Sequence, residues 1–356
     1  MPDLPETLNL LLFMDPAEAP VEEIAAAAPG RLRVTAAPGQ AFADDAGLHP
    51  PTTGLWKGAP WSTDLSPDER ERLLREAHIL VVTLPFPKRL LPRMPNLLWA
   101  QYLWAGISDM RYSDLWGSRV RIGSSRGYVE TLPIAEMALA AALYFAKELG
   151  LAARQTAGGE LDAAPYRLRL LAGKTMGMVG LGGIGLEVAR LAKALGMRVV
   201  ATRRSAQGRT ERVGDVDLLL PPSGLPELLA ESDYVALAPV LTEETERMMD
   251  SAAFAGMKDG AVLINVGRGE LVVEAALKEA LRSGKLRGAY LDVYADEWSR
   301  LPDPELMAFP NVIMTPHNSG HVDEPSTYSL EVLKENIRRF LAGDALINEV
   351  DWSRGY

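Results

Sequence analysis

The run Met178-Val179-Gly180-Leu181-Gly182-Gly183-Ile184-Gly185 constrains this chain more than any other feature. It sets a G-x-G-x-x-G spacing between an apolar strand pattern, Thr175 to Val179, and a helix pattern, Ile184 to Leu195. Gly180 permits the tight turn, Gly182 lets backbone approach a pyrophosphate, and Gly185 lets the helix pack closely on the strand. The helix then presents unpaired N–H groups to the phosphates. Alone, the motif also fits a glycine-rich turn with no ligand. The flanking strand and helix, with a second strand, Arg198 to Thr202, about 20 residues on, favour a dinucleotide site on Gly180, Leu181, Gly182, Gly183, Ile184 and Gly185.

The second strand ends in Thr202-Arg203-Arg204-Ser205, where an NAD-specific site usually carries an acid. Guanidinium groups offer planar donor forks suited to a phosphate, whereas an acid would repel one. NADP(H) is therefore favoured over NAD(H), with Arg203, Arg204 and Ser205 around the 2′-phosphate. The alternative for these arginines is a solvated strand end.

Around this signature the pattern alternates. Strands over Leu8 to Met14, Arg31 to Ala36, Ile79 to Leu84, Leu97 to Tyr102 and Val120 to Gly123 are expected, with helices over Val21 to Ala28 and Asp68 to Ala77. A long helix follows over Pro133 to Lys147. After Thr202 come a helix over Gly224 to Ala230, strands over Tyr234 to Leu237 and Ala261 to Asn265, and a helix over Val273 to Ser283. Strands over Gly288 to Asp292 and Val312 to Met314 and a helix from Ser326 to Leu341 complete the series. Such βα units imply an α/β protein with parallel sheets covered on both faces. Pro38 to Thr63 lacks periodicity and is expected to run over the surface.

At 356 residues the chain has room for two or three domains. Its 37 Lys and Arg against 47 Asp and Glu give a net charge of -10, which opposes nucleic-acid and anionic membrane partners. Absence of cysteine excludes disulfides, thiolate metal sites and cysteine nucleophiles. Leu8 to Met14 lacks a preceding basic region, so it reads as a strand rather than a signal peptide. Ile134 to Ala146 contains Glu136 and falls short of the ~20 residues that span a bilayer. A cytoplasmic protein is expected.

Three further segments each place an ionisable residue just beyond an expected strand: Asn265 to Leu271 with Arg268, Leu291 to Glu297, and Met314 to Asn318 with His317. Ligands collect at the carboxyl ends of parallel strands. An Arg, an acid and a His meeting a nicotinamide suit reduction of a carbonyl beside a carboxylate. With Gly180 to Gly185, Arg268, Asp292 followed by Glu297, and Thr315-Pro316-His317 in this order, the chain resembles the D-isomer-specific 2-hydroxyacid dehydrogenases from about Leu97 to Leu341. Pro133 to Glu136, Gly173 to Thr175 and Leu241 to Thr245 add to the likeness.

The resemblance implies roles. His317 would be the general acid for the carbonyl oxygen, Glu297 would orient its ring, and Arg268 would grip the substrate carboxylate or carbonyl. Asp292 would meet the nicotinamide carboxamide; Pro239, Thr245, Val266 and Gly267, with His317, would also contact the cofactor. The Ala105 and Gly106 loop amides would cradle the substrate carboxylate, with Trp104 shaping the substrate pocket. The fold implied is two Rossmann-like doubly wound domains with an active-site cleft between them: 1–126 plus 320–356 for substrate and 127–319 for NAD(P). Hinges are expected near Arg126 to Thr131 and His317 to Val322, and a homodimer through an arm near Glu148 to Leu171.

Departures from the family pattern are Trp104 in the substrate loop, Trp298 where proline is usual, and Pro239 displaced by one position. His321, four residues after His317, lacks an acid or Cys partner at ligand spacing, so no metal site is expected. His49 and His78 read as incidental, and Trp56, Trp61 and Trp116 as packing residues. The expected activity is reduction of a small 2-oxo acid such as glyoxylate or hydroxypyruvate. The alternative is a dinucleotide-sensing regulator resembling the C-terminal binding protein corepressors.

Overall fold

The computed structural model describes residues 4–50, 63–127, 131–323 and 328–355. Trp56 and Trp61, with the rest of 51–62 in the expected excursion, and residues 128–130 of the first expected hinge, lie outside them; within the described part of the excursion Ala41, Phe42 and His49 are buried rather than on the surface. The chain divides into two compact units: Met1–Val129 with Trp298–Arg300 and Glu324–Tyr356, and Glu130–Glu297 with Leu301–Asp323.

The first unit begins with β1 (Leu8–Phe13), α1 (Val21–Ala25), β2 (Leu32–Ala37) and β3 (Leu48–His49). It continues with α2 (Pro67–Glu76), β4 (Ile79–Val82), β5 (Phe86–Pro87), β6 (Trp99–Tyr102) and β7 (Arg121–Ser124). Five strands form a parallel sheet in the order β2-β1-β4-β6-β7, and β3 pairs antiparallel with β5. Near-continuous apolar runs such as Ile79–Val82 suit strands buried on both faces. Helix α2 starts at a capping box: Ser66 Oγ accepts from the Glu69 amide at 3.3 Å, and the Glu69 carboxylate accepts from the Ser66 amide at 2.8 Å.

The second unit opens with α3 (Thr131–Ala146) and α4 (Leu149–Gly158). Then follow β8 (Thr175–Val179), α5 (Gly183–Ala194), β9 (Arg198–Thr202), β10 (Thr210–Val213), β11 (Val216–Leu220), α6 (Leu225–Glu231) and β12 (Tyr234–Leu237). The unit ends with α7 (Ser251–Gly256), β13 (Ala261–Asn265), α8 (Glu274–Arg282), β14 (Leu286–Leu291), α9 (Pro304–Ala308) and β15 (Val312–Met314). Helix α10 (Tyr328–Ala342) belongs to the first unit, where Leu333, Ile337 and Phe340 pack against Trp99 and the β1 leucines.

The second sheet runs β10-β11-β9-β8-β12-β13-β14-β15, parallel except for the β10–β11 hairpin. Counted from β8, its parallel strands take the order third, second, first, fourth, fifth, sixth, seventh, so the winding reverses between β8 and β12. One face is covered by α3 and α5, whose Ala135, Ala138, Ala142, Ala189 and Ala192 allow close approach. The other is covered by α6, α7 and α8 through Leu228, Phe254, Leu277 and Leu281. Both units are thus Rossmann-like α/β layers.

Most expected elements are found within three residues of their expected ends. The β10–β11 hairpin was not expected: all four β10 residues are exposed, so no apolar alternation marks the strand. Helices α4, α7 and α9 were also not expected; α7 and α9 span only six and five residues. Among the described residues, no helix is long and apolar enough to cross a membrane.

Candidate active site

The glycine turn closes the end of β8 at the reversal of the winding. Gly180 has φ +91°, and a Cβ there would fall 2.6 Å from the Pro239 nitrogen just beyond β12. A Cβ on Gly185 would fall 2.3 Å from the Gly180 carbonyl oxygen. A Cβ on Gly182 would meet nothing within 4 Å, so the space beside it is open. Gly182 is also the N-cap of α5, and no side chain caps this helix. The amides of Gly183, Ile184 and Gly185 therefore have no partner within the helix and point where an anion is favoured. This open cradle of backbone donors fits a dinucleotide pyrophosphate.

Two of the expected contacts make hydrogen bonds within the chain. The amides of Gly180 and Leu181 both donate to the Thr202 carbonyl, at 3.2 and 3.0 Å, and the Leu181 side chain is buried in the core. Leu181 thus joins the glycine turn to the end of β9. The Thr245 hydroxyl donates to the Val240 carbonyl at 2.7 Å and accepts from the Thr242 amide at 2.9 Å, which organises the loop after β12. Arg203, Arg204 and Ser205, just past β9, are exposed. Arg204 Nε lies 4.0 Å from Glu244 Oε2.

Beyond β13, the Asn265 side chain braces the next loop: its Nδ2 donates to the Arg268 carbonyl at 2.9 Å and its Oδ1 accepts from the Gly267 amide at 3.1 Å. Half-buried Arg268 donates from Nη1 to the Gly267 carbonyl at 2.9 Å. Gly269 is required by packing, since a Cβ there would lie 1.9 Å from the carbonyl carbon of Tyr294.

The acid and the histidine come together. His317 Nδ1 lies 2.8 Å from Glu297 Oε1, with the Glu297 side chain 4% exposed and that of His317 26% exposed. Both are reached through left-handed backbone: His317 has φ 51° and Asp296, just before Glu297, has φ 58°. Asp and His tolerate this region better than most residues. The His317 turn is tied down by its amide, which donates to the Asp292 carbonyl at 2.9 Å.

The Asp292 carboxylate is engaged within the chain: buried, it accepts from the Thr315 hydroxyl, the Asn318 amide, the Ser319 amide and the Ser319 hydroxyl. These four donors engage both carboxylate oxygens. Asp292 shapes the 315–319 loop that carries His317. Tyr290 supports the same loop, its hydroxyl 2.7 Å from Thr315 Oγ1, and burial pushes the phenol up to about 12. Thr315, Ser319, Tyr290 and Asn265 were not singled out from sequence, although Thr315 and Asn265 lie within the motifs.

In the first unit, Trp104, Ala105 and Gly106 follow β6, where Trp104 is half-buried against the core and its carbonyl accepts from the Ser125 amide at 3.3 Å. His49 is a core residue: it is 1% exposed and stacks on Tyr112 at 4.1 Å between centroids. Trp298 belongs to this cluster, donating from its indole to Asp109 Oδ1 at 3.0 Å. His78 accepts from the Asn9 amide through Nδ1 at 3.0 Å, and burial holds its imidazole below the usual value.

Residues 139–319 match the family model described as "D-isomer specific 2-hydroxyacid dehydrogenase, NAD binding domain". A glyoxylate reductase from Korarchaeum cryptofilum is 30% identical over 300 residues, 82% of this chain and 88% of that protein. A D-3-phosphoglycerate dehydrogenase from Methanocaldococcus jannaschii is 32% identical over 221 residues, 62% of this chain but only 41% of that longer protein. The crystal structure of an NADPH-dependent glyoxylate/hydroxypyruvate reductase from Sinorhizobium meliloti, in complex with NADP and sulfate, superimposes with a TM-score of 0.74 at 26% identity, covering 98% of this chain and all of the other. The chain belongs to the D-isomer-specific 2-hydroxyacid dehydrogenase family.

Proposed function

We propose that the protein is an NAD(P)-dependent oxidoreductase that reduces a small 2-oxo acid to its 2-hydroxy acid and favours NADP(H). The observation that carries this reading is the buried Glu297 carboxylate held against His317 Nδ1 at 2.8 Å, on the same unit as the open glycine cradle. Gly180, Gly182 and the Gly183 to Gly185 amides would hold the pyrophosphate, with Pro239, Val266 and Gly267 lining the nicotinamide side. When bound, the reduced nicotinamide supplies hydride to the carbonyl carbon.

The chain's own residues do the rest. His317 holds a proton at Nε2 for the carbonyl oxygen, because Glu297 accepts from the opposite nitrogen and fixes the ring. The nearby carboxylate stabilises the imidazolium, which keeps the donor protonated. Arg268 grips the substrate carboxylate with its forked donors. On the first unit, the Ala105 and Gly106 amides are assigned to substrate binding, with Trp104 limiting the substrate side chain. Asp292 acts through the loop it organises.

The preference for NADP(H) rests on Arg203, Arg204 and Ser205, which put two guanidinium groups and a hydroxyl where NAD-specific sites place an acid. The NADP-bound relative supports it. A homodimer would form through residues 148–171, where Leu161, Leu168 and Leu170 are exposed. The expected location is the cytoplasm.

The test is oxidation of NADPH and NADH, side by side, with glyoxylate, hydroxypyruvate, pyruvate, phenylpyruvate and branched 2-oxo acids. Faster turnover with NADPH is expected, with preference reduced at least about tenfold in R203A/R204A. Faster turnover with NADH overturns the cofactor assignment alone. Dinucleotide binding without turnover of any acid overturns the enzyme reading. H317A is expected to lose about 10²- to 10⁴-fold in rate while still binding dinucleotide through the glycine cradle.

A further inference from the structure

Against the turn that carries Glu297 lies a carboxyl, Glu270, that the proposed reaction does not use. Glu270 follows Gly269, whose lack of a side chain lets this turn ride directly on the backbone of Tyr294 and Ala295. The Glu270 side chain is half-buried, and its Oε1 accepts from the Asp296 amide at 3.5 Å, the long end of a hydrogen bond. Asp296 is the residue whose left-handed backbone delivers Glu297. Glu297 spends Oε1 on His317, and its Oε2 is buried with no partner among the described residues. Burial first, and then the Glu297 charge, push the Glu270 carboxyl above its ordinary value; its own amide, that of Asp296, and Arg268 draw it back.

We propose that Glu270 is a positioning residue for the Glu297–His317 pair: it steadies the 294–297 turn through the Asp296 amide and sets a second negative charge near Glu297, which raises the proton affinity of His317. The inference rests on the reading of His317 as the proton donor. Among the described residues, Arg268, Tyr290, Asp292, Tyr294, Asp296 and His321 are other charged or titratable groups on the elements around the pair, the Tyr294 hydroxyl donating to the Glu297 carbonyl at 3.4 Å. None of these residues is itself altered in the Glu270 variants.

The experiment follows the His317 ring through its titration by NMR in the full-length protein, with and without NADP⁺, its signal assigned with H317N. E270Q keeps an oxygen acceptor for the Asp296 amide and removes the charge. Its His317 midpoint is expected to fall by about half to one pH unit, with the His78 signal unmoved. E270D keeps the charge and is expected to stay nearer the parent. A midpoint in E270Q coincident with the parent's overturns the proposal. If E270Q does not fold, E270S removes the same charge and carries the same expectation. The reading needs no turnover: a shifted midpoint in a protein that reduces no 2-oxo acid sinks the proposed reaction and leaves the electrostatic role of Glu270 standing. An active enzyme with no shift does the reverse.

Discussion

Glu297 holds His317 through one oxygen only, Oε1 at 2.8 Å from Nδ1, while Oε2 is buried beside it without a partner among the described residues. The pair therefore gains orientation from a single hydrogen bond and proton affinity from a full negative charge that water screens little. E297Q keeps the shape and an acceptor but deletes the charge. The imidazolium then loses its counter-charge, so the ring gives up its proton at lower pH. If His317 donates the proton in the proposed reduction, the high-pH fall in rate is expected about one pH unit earlier in E297Q than in the parent. A limb at the parent's position would assign it to another group.

Gly182 and Gly269 separate a binding glycine from a packing glycine. A methyl group on Gly182 meets no protein atom within 4 Å, so G182A is expected to melt with the parent while losing at least about tenfold in dinucleotide affinity. A methyl group on Gly269 falls 1.9 Å from the Tyr294 carbonyl carbon, so G269A must displace the turn that carries Glu297. A loss of more than about 2 kcal/mol in denaturant unfolding is expected for G269A. Equal stability losses in the two variants would refute the distinction.

These glycines also mark what was legible in the sequence. The turn after β8, Arg268, Glu297 and His317 could be read because each lies just beyond an apolar strand, and backbone geometry ties such positions to residue type. The supports of the site could not be read in the same way. That both Asp292 oxygens are engaged depends on Ser319, 27 residues away, and on how the 315–319 loop folds back. Glu270 looked like one more polar residue until Gly269 placed it against Asp296. The exposed β10 carries no periodic signal, yet its partner β11 supplies the third parallel strand from β8. Trp298 stood out as a departure, but its partner Asp109 is 189 residues away, and spacing does not report so distant a contact.

Trp298 and Asp109 give a stability prediction within the first unit. Asp109 is 5% exposed and accepts from the Trp298 indole at 3.0 Å and from the Tyr102 hydroxyl at 3.2 Å. W298F keeps a ring against His49, 5.8 Å away between centroids, and removes one donor from a buried carboxylate. A loss of about 1–2 kcal/mol is expected in urea unfolding. A variant as stable as the parent would show that the ring alone, and not its N–H, matters to the cluster.

The last prediction concerns acid. Arg121 on β7 donates from Nε and Nη2 to the two oxygens of Glu349, at 2.9 and 2.8 Å, where the segment after α10 rejoins the sheet. This fork, more than the Arg121 charge itself, holds the Glu349 carboxyl below its ordinary 4.5. A carboxyl whose value is lowered by folding stabilises the native state above its unfolded value, and the contribution disappears as pH falls through the folded one. Both side chains are about one-third exposed, so solvent screening limits the pair to roughly 0.5–1 kcal/mol. E349Q is therefore expected to unfold at lower urea than the parent at pH 7, with the gap starting to close below about pH 4.5 and vanishing at still lower pH. A gap that persists undiminished at about pH 3 would assign the loss to packing of the 348–350 segment on β7 rather than to the ion pair.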